Sequence, residues 1–133
     1  MLNRKSAICF AAILMLSLAI GCNKKYDVIP VKGTVTYDNQ PVPNMRVQFQ
    51  PDDGRVSQGP TNEDGTFEMV YTAEQMGVEP GEHKVTLLWN PPNPEDTKPD
   101  ELSQKVLNDF KANGPIEVTI DKPEKNFEIK LPR

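Results

Sequence analysis

Apolar and polar residues alternate with a period of two in six stretches of this chain. Successive side chains of a strand point to opposite faces, so this pattern predicts strands that each bury one face. The organising stretch is Val31 to Pro51, which reads V-K-G-T-V-T-Y, then D-N-Q-P-V-P-N, then M-R-V-Q-F-Q-P. It predicts a strand over residues 28–37 with Val31, Gly33, Val35 and Tyr37 inward, a turn over 38–44, and a second strand with Met45, Val47 and Phe49 inward. Pro41 and Pro43 cannot donate ladder hydrogen bonds and belong in the turn or at an edge. Gly33 at an inward position predicts a bulge or a close backbone approach.

The alternation returns in Phe67, Met69 and Tyr71, in Val85, Leu87 and Trp89, in Ile116, Val118 and Ile120, and in Phe127, Ile129 and Leu131. Residues 52–65 read as a polar loop closed by Asp64-Gly65, a turn signal because glycine accepts positive φ. Residues 72–80 read as a connection, and Pro123 and Glu124 as the hairpin between the last two strands. From Asn90 the prolines exclude a central strand, and over residues 100–112 the spacing becomes helical. Leu102, Val106 and Phe110 fall on one stripe, acidic residues start the segment, Lys111 lies near its end, and Asn113-Gly114-Pro115 stops it. Strands with one apolar face each need a second sheet to cover that face. The expected fold is therefore an all-β, Ig-like β-sandwich of about 6–7 strands, with one short helix inserted before the last two strands and packed over the sandwich.

The N-terminus carries a different pattern. Arg4 and Lys5 precede an apolar run from Ala7 to Ile20 that is shorter than the roughly 20 residues a membrane-spanning helix needs. Its size and flanks are those of a secretory signal. It ends in Leu18-Ala19-Ile20-Gly21-Cys22, which resembles the lipobox of bacterial lipoproteins. Ala19 stands where that family usually has leucine, with Leu18 beside it. The resemblance implies acylation of Cys22 and cleavage between Gly21 and Cys22. Residues 1–21 then form the signal peptide, 22–27 a lipidated tether and 28–133 the folded domain. Asn23, in place of the aspartate linked to inner-membrane retention in some lipoprotein systems, points toward an outer membrane.

Cleavage would also remove Cys9, Arg4 and Lys5, leaving no cysteine for a disulfide and 13 basic against 19 acidic residues, a net charge of −6. A domain of that charge is poorly suited to nucleic acid or to anionic lipid, so membrane attachment is expected from acyl chains and not from a basic patch.

Several short motifs occur in a characteristic order: V-x-G-x-V at 31–35, Gln40-Pro41-Val42-Pro43, Val47-x-Phe49-x-Pro51, Thr61-x-x-Asp64-Gly65-x-Phe67 and Pro80-Gly81-x-x-x-Val85. Together they resemble a carboxypeptidase regulatory-like domain, a transthyretin-like sandwich of about seven strands. The resemblance spans Val31 to Trp89 and returns over Phe127 to Leu131. It implies a non-catalytic role, and fold alone does not imply function.

The candidate chemistry is sparse. His83 is the only histidine and lies outside any H-E-x-x-H pattern, so a structural role at a strand end is expected. Asp52, Asp53, Glu63 and Asp64 match no EF-hand spacing and read as solvated turn carboxylates. Ser57 and Ser103 lack the context of a nucleophile. Lys32 and Asn126 occupy places comparable to the isopeptide-forming pair of collagen-adhesin-type repeats, but that bond needs a desolvated lysine and alternation puts Lys32 on the polar face, so no bond is expected. Trp89 and the prolines after it are the one candidate contact for a sugar or a Pro-rich peptide, although alternation turns Trp89 inward. The expected role is a lipid-anchored, extracytoplasmic β-sandwich without catalysis, metal or cofactor, with an envelope protein or glycan as partner. The alternative is a carbohydrate- or peptide-binding accessory module of a secreted enzyme.

Overall fold

The computed structural model describes residues 25–133. Gly21, Cys22 and the whole signal segment lie outside the described residues. The fold is an all-β sandwich of two sheets with one helix before the last two strands.

The first strand, β1 (Val31–Tyr37), alternates as its sequence predicts, with Val31 and Val35 fully buried. Asp38 and Asn39 both take positive φ, 49° and 65°, the geometry of a type I′ hairpin turn, and lead into the two-residue strand β2 (Gln40–Pro41). Val42 follows, fully buried, with its N–H donating to the Val35 carbonyl. The strand β3 (Met45–Pro51) sends Met45, Val47 and Phe49 into the core. Short strands β4 (Ser57–Pro60), β5 (Thr66–Glu68), β6 (Val70–Thr72) and β7 (Gln75–Met76) come next, followed by the nine-residue β8 (Gly81–Trp89). The helix α1 (Glu101–Asn113) precedes β9 (Ile116–Ile120) and β10 (Glu124–Leu131).

One sheet pairs β10 with β1 in parallel and sets β2 and β5 antiparallel to β1. The other runs β7-β6-β4-β3-β8-β9, all antiparallel. The register of β1 against β10 slips between Val31 and Gly33. A Cβ built on Gly33 would lie 2.0 Å from the Phe127 carbonyl oxygen and 2.7 Å from the Phe67 ring, so both features anticipated for this glycine are present.

Three expectations are corrected. The strands β9 and β10 are not a hairpin: β9 extends the second sheet beside β8, whereas β10 crosses to the first sheet beside β1. The polar loop 52–65 contains β4, whose inward residues, Ser57 and Gly59, carry no apolar signal. The connection 72–80 contains β7 and the buried Val78, which exchanges backbone hydrogen bonds with Ile29. Among the described residues the strands accordingly number ten rather than six or seven.

The helix begins where Asp100 caps it, accepting from the Ser103 N–H at 2.9 Å and the Ser103 hydroxyl at 2.8 Å. Partial burial pushes the Asp100 carboxyl up, but the Ser103 bonds and neighbouring backbone dipoles outweigh it and leave it lowered. Gly114, at φ 73°, ends the helix and returns its N–H to the Phe110 carbonyl. The strand β9 pairs only with the first half of β8, Gly81 to Val85. The helix packs against β8 and sends Val106 into the core.

Candidate functional site

The residues that fasten the incoming chain form one cluster at an end of the sandwich. The predicted tether, 22–27, overlaps the fold here. The Tyr26 N–H donates to Gln75 Oε1 at 2.9 Å, and Gln75 Nε2 donates back to the Tyr26 carbonyl at 2.9 Å. The Tyr26 ring meets the Tyr71 ring edge-on, with centroids 5.2 Å apart. Tyr71 is buried by the alternation of β6 and donates its hydroxyl to Glu79. That bond, with burial and the Glu79 charge, pushes the Tyr71 hydroxyl up to about 12. The Arg55 guanidinium lies 5.8 Å from the Tyr71 ring centre. Together these contacts bring the chain from the N-terminus onto the β6–β7 edge before β1 begins.

His83 lies near the start of β8, 3% exposed. Its Nε2 is 2.6 Å from the Glu79 carbonyl oxygen, and since a carbonyl only accepts, Nε2 carries the proton in this bond. The ring meets Phe49 edge-on at 5.7 Å. Nδ1 is buried without a hydrogen-bond partner. The residue thus ties the start of β8 to the 72–80 segment, which is the strand-end role expected of it. A shallow cavity of about 210 Å³ opens beside it, lined by the charged outer residues Asp52, Glu82, Lys84 and Glu117.

The four turn acids do not converge. Asp52 and Asp53 follow the C-terminal end of β3, while Glu63 and Asp64 follow β4, which runs back antiparallel to β3, so they stand at opposite ends of the sandwich. Asp64 instead accepts the Thr66 hydroxyl at 2.6 Å and the Thr66 N–H at 3.1 Å, and these bonds hold its carboxyl below the usual range. Among the described residues, no group of three or more His, Cys, Asp or Glu side chains is arranged to hold a metal ion.

Ser103 is engaged with Asp100 at the helix cap, and Ser57 is buried with its hydroxyl unpartnered. Lys32 is exposed and ion-paired with Glu68 at 3.5 Å. Lys32 and Asn126 line one shallow groove on the β1 side. Trp89 sits opposite Met45 and packs partly buried against the core, with its indole Nε1 buried and unpartnered. The ring is therefore turned inward, as its parity predicts, and the exposed neighbour is Leu88.

A second cluster, unforeseen in the sequence, fastens the outgoing chain. Asp109 of α1 is buried and accepts from the Arg133 N–H at 2.7 Å and from Arg133 Nε at 2.8 Å. Arg133 Nη2 donates to the Gly114 carbonyl at 2.7 Å, and the guanidinium lies 4.3 Å over the Phe110 ring. Asp109 stands between Val106 and Phe110 in the helix and pairs with Arg133, 24 residues away in sequence, so no local pattern marks the pair. No helix among the described residues is long and apolar enough to cross a membrane.

Fold and site define an all-β sandwich with a capped helix, clamped where the chain enters and where it leaves. Compared with models of known families, with curated proteins and with solved structures, the chain matches none.

Proposed function

We propose that this chain is a lipoprotein of a bacterial cell envelope, anchored through acylated Cys22, whose β-sandwich has a structural or binding role and performs no catalysis. One juxtaposition carries the reading: the Leu18-Ala19-Ile20-Gly21-Cys22 stretch closes an apolar run just four residues before Tyr26, where the folded domain takes hold of the chain. The acidic balance of the mature chain supports attachment by acyl chains, since an acidic surface gains little from anionic lipid. The resemblance to carboxypeptidase regulatory-like domains belongs to the same proposal. Its motifs fall on β1, on β2, on β3, on the Asp64-Gly65 turn into β5 and at the start of β8.

Fractionation of cells producing the wild type and Cys22→Ser, with an intact mass of each, tests the reading. The wild type is expected in the membrane fraction, without residues 1–21 and with added acyl mass. A soluble wild type, or one that retains Met1 to Gly21, would overturn the proposal.

A further inference from the structure

We infer that the end of the sandwich built from Tyr26, β7 and the 72–80 segment rests on the lipid headgroup layer, with Tyr26 and Met76 as its contacts, and that the opposite end faces away from the bilayer. The inference rests on lipidation of Cys22 and adds an orientation to it.

Chain length is the first argument. Consecutive Cα atoms are 3.8 Å apart at most, so the four steps from Cys22 to Tyr26 span no more than about 15 Å. Tyr26 is not free to extend this reach, because its backbone is held on both sides by the Gln75 amide and its ring lies against Tyr71. A cysteine carrying acyl chains is confined to the interfacial layer, so the surface around Tyr26 is confined to within that distance of it.

The second argument is the surface itself. Three large hydrophobic residues are exposed among those described: Tyr26 at 40%, Met76 at 44% and Leu88 at 44%. Two of the three flank the point where the incoming chain is pinned, Met76 being the neighbour of Gln75. Tyrosine is favoured at the membrane interface because its ring is apolar and its hydroxyl stays wet, and an unbranched methionine adapts to a disordered apolar layer. Charge at this end does not favour anionic lipid, since Lys24, Lys25, Arg55 and Lys122 are outnumbered by Asp27, Asp52, Asp53, Glu74, Glu79 and Asp121. The contact is therefore with the neutral interfacial layer, not with a negatively charged surface.

Topology then sets what lies opposite. Because β10 runs parallel to β1, the outgoing chain leaves from the other end. Eight residues of β10 at 3.3 Å each put about 26 Å between the two ends. The Asp38–Asn39 hairpin tip, the turn at Glu63 and the segment after Trp89 are thereby held beyond the reach of the headgroups.

The test uses the full, acylated protein in phosphatidylcholine vesicles that carry a headgroup-attached quencher. The processed chain has no thiol besides the acylated Cys22, so Met76→Cys and Glu63→Cys each accept a single fluorophore. The expected result is loss of most of the fluorescence at position 76 and no loss at 63, unchanged when phosphatidylglycerol is added to the vesicles. A twelve-residue Gly/Ser insert after Asn23 adds roughly 20 Å of r.m.s. reach and is expected to restore the fluorescence at 76. Equal quenching at both positions, or stronger quenching at 63, in a protein that is acylated by mass and floats with the vesicles overturns the orientation alone. A protein that is neither acylated nor vesicle-bound overturns the lipid anchor, and the orientation with it. Thermal melting of each labelled variant against the wild type shows that the label has not unfolded the domain.

Discussion

The incoming and outgoing ends of the domain are both clamped to its surface, but by different chemistry. At Tyr26 the bonds exchanged with Gln75 are neutral and solvent-exposed, and an edge-on aromatic contact with Tyr71 accompanies them. At Arg133 it is ionic and partly buried, with the Asp109 side chain 3% exposed and the Arg133 side chain 23%. The parallel pairing of β1 with β10 puts the two clamps at opposite ends of the sandwich. The difference is one of consequence. A neutral exposed clamp can open and leave its groups solvated, whereas opening an ionic one leaves a carboxylate in the protein interior. The outgoing clamp also holds α1 in place, because Asp109 lies three residues beyond Val106, the helix residue that enters the core. The helix therefore depends on the far end of the chain, while the near end holds only itself.

Breaking the ionic clamp is the severest test of this contrast. Arg133→Ala removes the guanidinium from Asp109, from the Gly114 carbonyl and from the Phe110 ring, leaving the backbone N–H as the partner of the carboxylate. Removing one partner of a buried ion pair costs about 3–5 kcal/mol, and the residual backbone bond places this case at the lower end, about 3 kcal/mol. Urea unfolding measures it directly. Asp109→Ala is expected to cost less, because the arginine, already partly exposed, can swing into water. Equal losses would mean that the pair is effectively solvated and that the two clamps do not differ in kind.

The network behind the neutral clamp offers a smaller effect with a signature in pH. Tyr71→Phe removes the hydroxyl that donates to Glu79 and is expected to cost about 1.5–3 kcal/mol, the usual range for a bond to a charged acceptor. In the folded protein the Tyr71 hydroxyl is raised to about 12 from its ordinary value of 10.0. The unfolded chain therefore loses this proton first as pH rises. The stabilisation is complete below pH 10 and is lost as pH climbs toward 12. Unfolding midpoints of wild type and Tyr71→Phe are thus expected to differ near neutral pH and to converge above pH 10. Parallel curves across that window would show that the hydroxyl is not bound to a carboxylate.

Much of the scaffold between the clamps was legible as alternation. Val31, Val35, Met45, Val47, Phe49, Val85 and Leu87 are all buried as their parity predicts, and the helix begins and ends within one residue of its expected span because Asp100 and Gly114 are strong local signals. Legibility failed where apolar parity is silent. The strand β4 turns Ser57 and Gly59 inward, and Val42 and Val78 are core residues standing in turns. Alternation also cannot say which sheet a strand joins. The patterns of β9 and β10 look the same for a hairpin as for a crossing between sheets, and only the pairing of β10 with β1 decides. Both clamps escaped notice for a related reason. Tyr26 and Gln75 are 49 residues apart, and nothing local to either marks the other.

The smallest expected effect is the most informative about the incoming chain. Gln75→Ala removes both amide bonds to Tyr26 but leaves the ring contact with Tyr71 and the Ile29–Val78 backbone pair intact. Since the groups released become solvated, global stability is expected to fall by no more than about 0.5–1 kcal/mol. The change should instead appear locally, as faster amide hydrogen exchange at Tyr26, with Ile29 and Val78 still protected. If exchange at Ile29 also rises to the solvent rate, the Gln75 bonds and the Ile29–Val78 bridge open as one unit. The folded domain would then begin functionally at β1, the free chain beyond Cys22 would lengthen from four steps to nine, and its reach from about 15 Å to about 34 Å. An orientation imposed by a short tether survives only the first outcome, so this substitution, mild as its energetic effect is, decides how closely the domain is bound to whatever holds Cys22.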